Sequence, residues 1–147
     1  MENNFIINDN FLDQKEFDEL QTLMMGVGFD WHYNIENTDY RIDVDDNVED
    51  VDKFQFGHIF YINNAPMSPF LQKLNSILKI INSLSIWRIK ANLLTKTPNI
   101  IGKAFHVDIL DLSEEKLKQW TTSIFYVNTN NGYTEFEDGT KVESVAN

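Results

Sequence analysis

The triplet His106-Val107-Asp108 is the pattern in this chain most directly suited to chemistry. On an extended strand alternate side chains point to the same side, which sets an imidazole and a carboxylate about 6.5–7 Å apart at Cα. Both can then reach one cation. A second His from elsewhere would complete a facial triad, the arrangement that holds Fe(II) and leaves three coordination positions open. Taken alone the pattern is weak, because three His and 13 Asp in 147 residues give 3 × 13/147 ≈ 0.27 H-x-D matches by chance. The plain alternative is the polar face of a strand. Phe105, Val107 and Ile109, which flank the two donors, are expected to turn to the opposite, buried side.

Other groups offer less. Asp43, Asp45 and Asn47 have the alternation of a calcium loop, but Val48 and Phe54 stand where an EF-hand needs Gly and Glu. A solvated acidic loop over residues 39–53 is the better reading. His58 sits in an aromatic strand and His32 beside Trp31, and both read as satisfied core or edge histidines. Trp87, Trp120 and the Phe residues read as core. Glu114-Glu115-Lys116 reads as a solvated face. No Ser–His–Asp or Cys–His arrangement, P-loop or G-x-G-x-x-G is present.

Elements that could position the triplet follow from periodicity. Phe5-Ile6-Ile7 reads as a short strand before a turn. Asp13 and Glu16 form a D-x-x-E capping box, Phe17, Leu20 and Met24 follow at helical spacing, and Gly26 is a natural stop. Phe29–Tyr33 and the alternating run Phe54–Ile62 read as strands. Ser68-Pro69 makes an N-cap and N1 pair for an amphipathic helix running to about Leu84. The period then switches to strands at Ile86–Leu94, Lys103–Ile109, Thr122–Asn128, Tyr133–Glu137 and Thr140–Val145, with a short helical loop at Ser113–Gln119. Asn131-Gly132 and Asp138-Gly139 are hairpin-turn dipeptides between them. A helix-supported antiparallel barrel or jelly roll fits this order.

Length bounds the chain to one domain with one core, and 42% hydrophobic residues with 13% aromatics is globular composition. The N-terminus has no signal-peptide pattern, no apolar run reaches transmembrane length, and the absence of Cys removes disulfides and zinc–thiolate sites. The expectation is a soluble cytoplasmic protein. A net charge of −11 repels phosphate backbones and anionic membrane surfaces, which counts against both as non-specific partners.

Four stretches together resemble the 2-oxoglutarate/Fe(II)-dependent oxygenases, above all the small prolyl-4-hydroxylase-like members of bacteria and phages. They are Trp87–Leu93, Phe105–Asp108, Thr122–Asn128 and Asn131–Gly139. In that family H-x-D precedes a strand reading like Tyr-Leu-Asn, then a Gly-rich turn and a T-x-F strand, as Gly132, Thr134 and Phe136 do here. Phe11-Leu12 and the helix behind them match the family's N-terminal support helix. The resemblance covers nearly the whole chain and is most specific over residues 105–139.

It implies a double-stranded β-helix, mainly β with supporting helices: residues 1–85 as helical and strand support, and 86–147 as a partial β-helix core in one domain. It implies His106 and Asp108 as the first two iron ligands, and Asn92 and Tyr126 in the 2-oxoglutarate pocket. The activity implied is hydroxylation of a C–H bond with O₂, as 2-oxoglutarate is decarboxylated to succinate. The alternative is a non-catalytic jelly-roll module used for binding or assembly. The family's second His, and the basic residue after it, have no match: no His follows Asp108, and the later Lys116, Lys118 and Lys141 come too early. The final residues 141–147 read as a strand without a polar tail. The expectation is therefore a chain lacking its last strands, inactive alone and prone to self-association through an exposed sheet edge.

Overall fold

The computed structural model describes residues 5–34, 55–102, 105–109 and 112–147. The acidic segment 39–53, Phe54, and the first residues of the expected strand Lys103–Ile109 lie outside them.

Helix α1 (Gln14–Met24) begins where Asp13 accepts a hydrogen bond from the Lys15 amide at 3.0 Å. Only half of the expected capping box forms. Glu16 does not fold back but accepts the Ser76 hydroxyl at 2.7 Å, tying α1 to the second helix. Phe17, Leu20 and Met24 are the buried face. The helix ends at Met25 without a left-handed residue, and the close turn after it needs Gly: a Cβ at Gly26 would lie 2.8 Å from the Thr22 carbonyl oxygen.

The main sheet is built on β2 (Gln55–Ile62). Strand β1 (His32–Asn34) and the short β3 (Ala65–Pro66) pair with one edge of it, and β4 (Arg88–Leu93) with the other, all antiparallel. Phe29 lies in the turn ahead of β1 rather than in a strand. Asn63 and Asn64, at φ 54° and 58°, make the tight β2–β3 turn. Two consecutive positive φ values match the right-handed twist of a hairpin, and Asn tolerates them better than most residues. A register shift between Ile59 and Tyr61 marks a bulge opposite β4.

The expected N-cap at Ser68 does not form: its hydroxyl oxygen accepts the Phe70 amide at 3.1 Å in the turn before the helical segment, which starts at Leu71 behind Phe70. A 3-10 turn (Leu71–Leu74) leads into α2 (Asn75–Ile81). The helix ends at Asn82, whose left-handed φ of 49° stops it short of Leu84. Leu12, Phe17, Leu20, Met24, Phe29, Phe60, Leu74 and Ile77 form the buried core. Ile89, Ala91, Phe125 and Val127 pack against it from later in the chain.

Beyond β4 the structure is more open than the periodicity predicts. Residues 105–109 carry a single bridge at His106, not a strand, and Thr122–Asn128 forms no strand, bending at Val127–Asn128. Strands β5 (Tyr133–Glu135) and β6 (Lys141–Glu143) form a two-stranded hairpin, turned at Gly139 with φ 82°. Asn131-Gly132 is not a hairpin turn. The Gly132 amide donates to the Asn130 side chain at 2.7 Å, and Asn130 and Gly132 both hydrogen-bond the backbone of Ser144. Phe5–Ile7 is not a strand either; Phe5 stacks on Phe136 at 4.9 Å while Ile6 and Ile7 are exposed. The chain is thus mainly small antiparallel sheets with supporting helices, with no closed barrel among the described residues. No helix among them is long and apolar enough to cross a membrane.

Candidate metal-ligand pair

Strand β4 positions the candidate site. Ile89 and Ala91 turn toward the core, so Arg88, Lys90 and Asn92, alternating with them, fall on the other face of the strand. From that face the Arg88 guanidinium donates to the Asp108 carboxylate, Nη2 to Oδ1, at 3.3 Å. The pair is partly shielded, the Arg side chain 16% and the Asp side chain 31% exposed. This contact ties the H-x-D segment to the main sheet. Nearby, Trp87 and Trp120 meet edge to face at 6.3 Å, joining the start of β4 to the segment after the short helix α3 (Glu114–Leu117). Trp87 is 59% exposed, so it is not the core residue expected.

The surroundings of the triplet differ from expectation in one respect. Phe105 and Val107 do not turn into a buried side; they are 38% and 39% exposed. A strand sorts its side chains into two environments only when both its faces are covered or paired, and this segment has one bridge. His106 is exposed and Asp108 half-buried, so both donors open toward solvent.

Asn92 and Tyr126 are engaged elsewhere. The Gln55 side-chain amide donates to Asn92 Oδ1 at 3.4 Å, and the Tyr126 hydroxyl pairs with the Thr134 hydroxyl at 2.6 Å. No hydrogen bond among the described residues joins Asn92 to Tyr126, or either to Asp108. A crevice of about 380 Å³ lies between α2 and the main sheet, lined by Tyr61, Leu71, Leu78, Ile86 and Ile89. It lies on the side of β4 that carries Ile89, away from the Arg88–Asp108 pair.

The other two histidines supply no third ligand. Both nitrogens of His58 are committed inside the core. Nδ1 lies 2.7 Å from the Asp30 carbonyl oxygen, which can only accept, so in the neutral ring Nδ1 carries the proton. Nε2 then accepts from the Ser68 hydroxyl at 2.7 Å. Phe29, Phe60 and Phe70 surround the ring, the arrangement of a satisfied core histidine. His32 sits on the far edge strand, in register with Gly57 and through it with Asn92. Strand spacing and rise place its Cα about 16 Å from that of Arg88. No group of three or more His, Cys, Asp or Glu able to hold a metal ion occurs among the described residues. His106 and Asp108 have the chemistry for two positions of a facial triad, but the third is unfilled and a guanidinium already holds the carboxylate. The described residues do not make a complete iron site.

Arg88 is the residue that sequence reasoning missed. The signal was the polar alternation Arg88-x-Lys90-x-Asn92 on the strand preceding H-x-D, which sets a cation where an acidic neighbour can meet it. Comparison with family models, with curated proteins and with solved structures returns no match.

Proposed function

We propose that this chain is an oxygenase-type domain of the Fe(II)/2-oxoglutarate class, prolyl-4-hydroxylase-like, with a double-stranded β-helix as its underlying plan. In this reading it hydroxylates a C–H bond of a small-molecule or peptidyl substrate, consuming O₂ and 2-oxoglutarate. His106 and Asp108 are the chain's two metal ligands, and Asn92 and Tyr126 belong to the cosubstrate side. The observation that supports it best is the placement of H-x-D, anchored to the face of β4 through Arg88–Asp108 with His106 exposed and Asp108 half-buried.

A second reading has its own support. The same ion pair satisfies Asp108 without any metal, as expected of a non-catalytic module kept for binding or assembly. Free imidazole separates the two, because it can stand in for a missing histidine. The chain is incubated with Fe(II), 2-oxoglutarate and O₂ over a series of imidazole concentrations, and succinate is measured. The oxygenase reading expects succinate to rise with imidazole and to vanish in His106→Ala and Asp108→Ala. Succinate at the protein-free background at every imidazole concentration leaves the non-catalytic module.

A further inference from the structure

Asn131-Gly132 is the single Asn-Gly dipeptide of the chain. Such a pair is open to self-modification, because glycine has no Cβ to shield its amide nitrogen from the preceding side chain. Asn131 is exposed, within reach of water. We infer that Asn131 is a spontaneous deamidation site, and that Asn130 sets its rate by holding the Gly132 amide.

The step needs only water. The Gly132 nitrogen loses its proton and bonds Asn131 Cγ, the Cγ–Nδ2 bond breaks, and ammonia leaves with a proton. The succinimide so formed is then opened by water at either carbonyl, leaving aspartate or isoaspartate at 131. Attack requires a deprotonated nitrogen facing Asn131 Cγ at close range.

In the fold that nitrogen is engaged. Its N–H donates to Asn130 Oδ1 at 2.7 Å, so the proton that must leave is covered by a carbonyl oxygen rather than by water. Asn130 is held in turn: Nδ2 donates weakly to the Asn128 carbonyl at 3.5 Å, and its backbone amide to the Ser144 carbonyl at 3.1 Å. Past the dipeptide the Ser144 amide donates to the Gly132 carbonyl at 3.0 Å, and Tyr133 enters the hairpin opposite Glu143. Both sides of Asn131 are thus tied to the segment around Ser144, which limits the rotation that would carry Cγ onto the nitrogen. Glycine is also what this clamp requires, since a Cβ at 132 would lie 2.8 Å from Asn130 Oδ1. The residue that makes Asn131 reactive is the one that lets Asn130 close over it. Deamidation then proceeds from a locally opened state, and its rate follows that opening.

The product bears on the hairpin. Isoaspartate routes the main chain through Cβ and lengthens it, which disturbs the pairing of Tyr133 with Glu143 and of Thr134 with Val142. Thr134 holds the Tyr126 hydroxyl at 2.6 Å, so the change loosens Tyr126 as well.

The test incubates the folded full chain in mildly alkaline buffer and follows aspartate and isoaspartate at residue 131 by peptide mass spectrometry. Each rate is divided by that of the same chain unfolded in urea, which removes the intrinsic effect of a substitution. Expected is a wild-type ratio of about one-tenth or less, as several hydrogen bonds must open together. Asn130→Ala should raise that ratio about three- to tenfold, the loss of one such bond, while Asn130→Asp keeps the acceptor and stays close to wild type. Far-UV circular dichroism confirms that each variant is folded. Should Asn130→Ala not fold, Asn130→Gly carries the same expectation. Hydrogen exchange of the wild type needs no variant: the Gly132 amide should exchange several-fold more slowly than in the unfolded chain. A wild-type ratio near one, an unchanged ratio on removing the Asn130 side chain, an unprotected Gly132 amide, or earlier modification at another Asn each overturns the inference.

Discussion

The two halves of this molecule are held by different forces. Among the described residues, every buried apolar side chain of the core lies between Leu12 and Ile77: Leu12 itself, then α1, the turn at Phe29, β2 and the helical segment behind Ser68. From residue 95 onward the described chain contributes no fully buried apolar side chain; Phe125, Val127 and Ala146 pack against the core half-buried, and hydrogen bonds add to that attachment. Gln21 on α1 donates to the Val127 carbonyl at 2.6 Å, and the Phe11 amide donates to the Asn147 carbonyl at 3.2 Å. The side chain of Asn147 bonds both ways with the Leu12 backbone. Apolar burial is non-directional and sums over area, while each net hydrogen bond contributes only about 0.5–1.5 kcal/mol. The early half should therefore set global stability and the later half should open first. The candidate ligands lie in that later half, where movement to accommodate an ion costs least.

Core truncation is the most severe way to break this contrast. Phe60 is the most buried large side chain, at 2% exposure, and its ring packs with Phe29 and His58. Phe60→Ala should cost about 3–5 kcal/mol in urea unfolding, a large share of what a domain of this size has. Phe125→Ala removes a half-buried ring that meets Phe11 and Phe17 from the later half, and should cost about 1–2 kcal/mol. Equal losses would mean that the two halves share one core.

A smaller effect tests whether the buried polar group belongs to the same cooperative unit. Ser68→Ala removes both the acceptor of the Phe70 amide and the donor to His58 Nε2, leaving one buried and one half-buried group without that partner. The expected cost is about 1–3 kcal/mol with an unchanged urea slope, since nothing else in the core need move. A cost under about 0.5 kcal/mol would show that water reaches the ring.

The same division explains what the sequence disclosed. Helix α1, β2, the helical segment behind Ser68 and β4 were legible because a packed core imposes a period on the residues that face it. His58 was legible as a core histidine for the same reason, being an aromatic-sized group among Phe residues. Lys103–Ile109 and Thr122–Asn128 have equally good alternation, but alternation states only which face a strand would bury. A strand also needs a neighbour to bond, and no local pattern reveals that partner. Asn131-Gly132 failed as a hairpin because the Asn130 side chain takes the Gly132 amide and Ser144 takes the rest. Asn63-Asn64 was overlooked because Asn-Asn is a weaker turn signal than Asn-Gly. At the candidate site the pair of donors was readable from its spacing. The Arg88 contact was not, because it joins residues 20 apart through tertiary packing.

Asn147 tests the seam between the halves. Its Oδ1 accepts the Leu12 amide at 2.7 Å and its Nδ2 donates to the Leu12 carbonyl at 3.0 Å. Asn147→Ala should cost about 1–2 kcal/mol, and amide exchange at Leu12 should quicken while the β2–β4 ladder keeps its protection. Faster exchange along β2 as well would join the seam to the core, and the contrast between the halves would weaken.

The smallest expected effect belongs to the β5–β6 turn, where polar contacts act without any burial. Asp138 is fully exposed, and the Thr140 amide donates to its carboxylate at 2.9 Å. That backbone bond, then the Thr140 hydroxyl, lowers its pKa below the ordinary carboxylate value. A group depressed in the folded chain stabilises it above the unfolded pKa of about 3.9, and that contribution is lost as pH falls through the folded value. Thr140 amide chemical shifts followed from pH 6 to pH 2 should therefore titrate with a midpoint below about 3.9, and Asp138→Asn should remove the transition. Resonances of α1 should stay unmoved through that titration, because neither Asp138 nor Thr140 is among the described residues packed against the core; a concerted shift in α1 would show that they are linked.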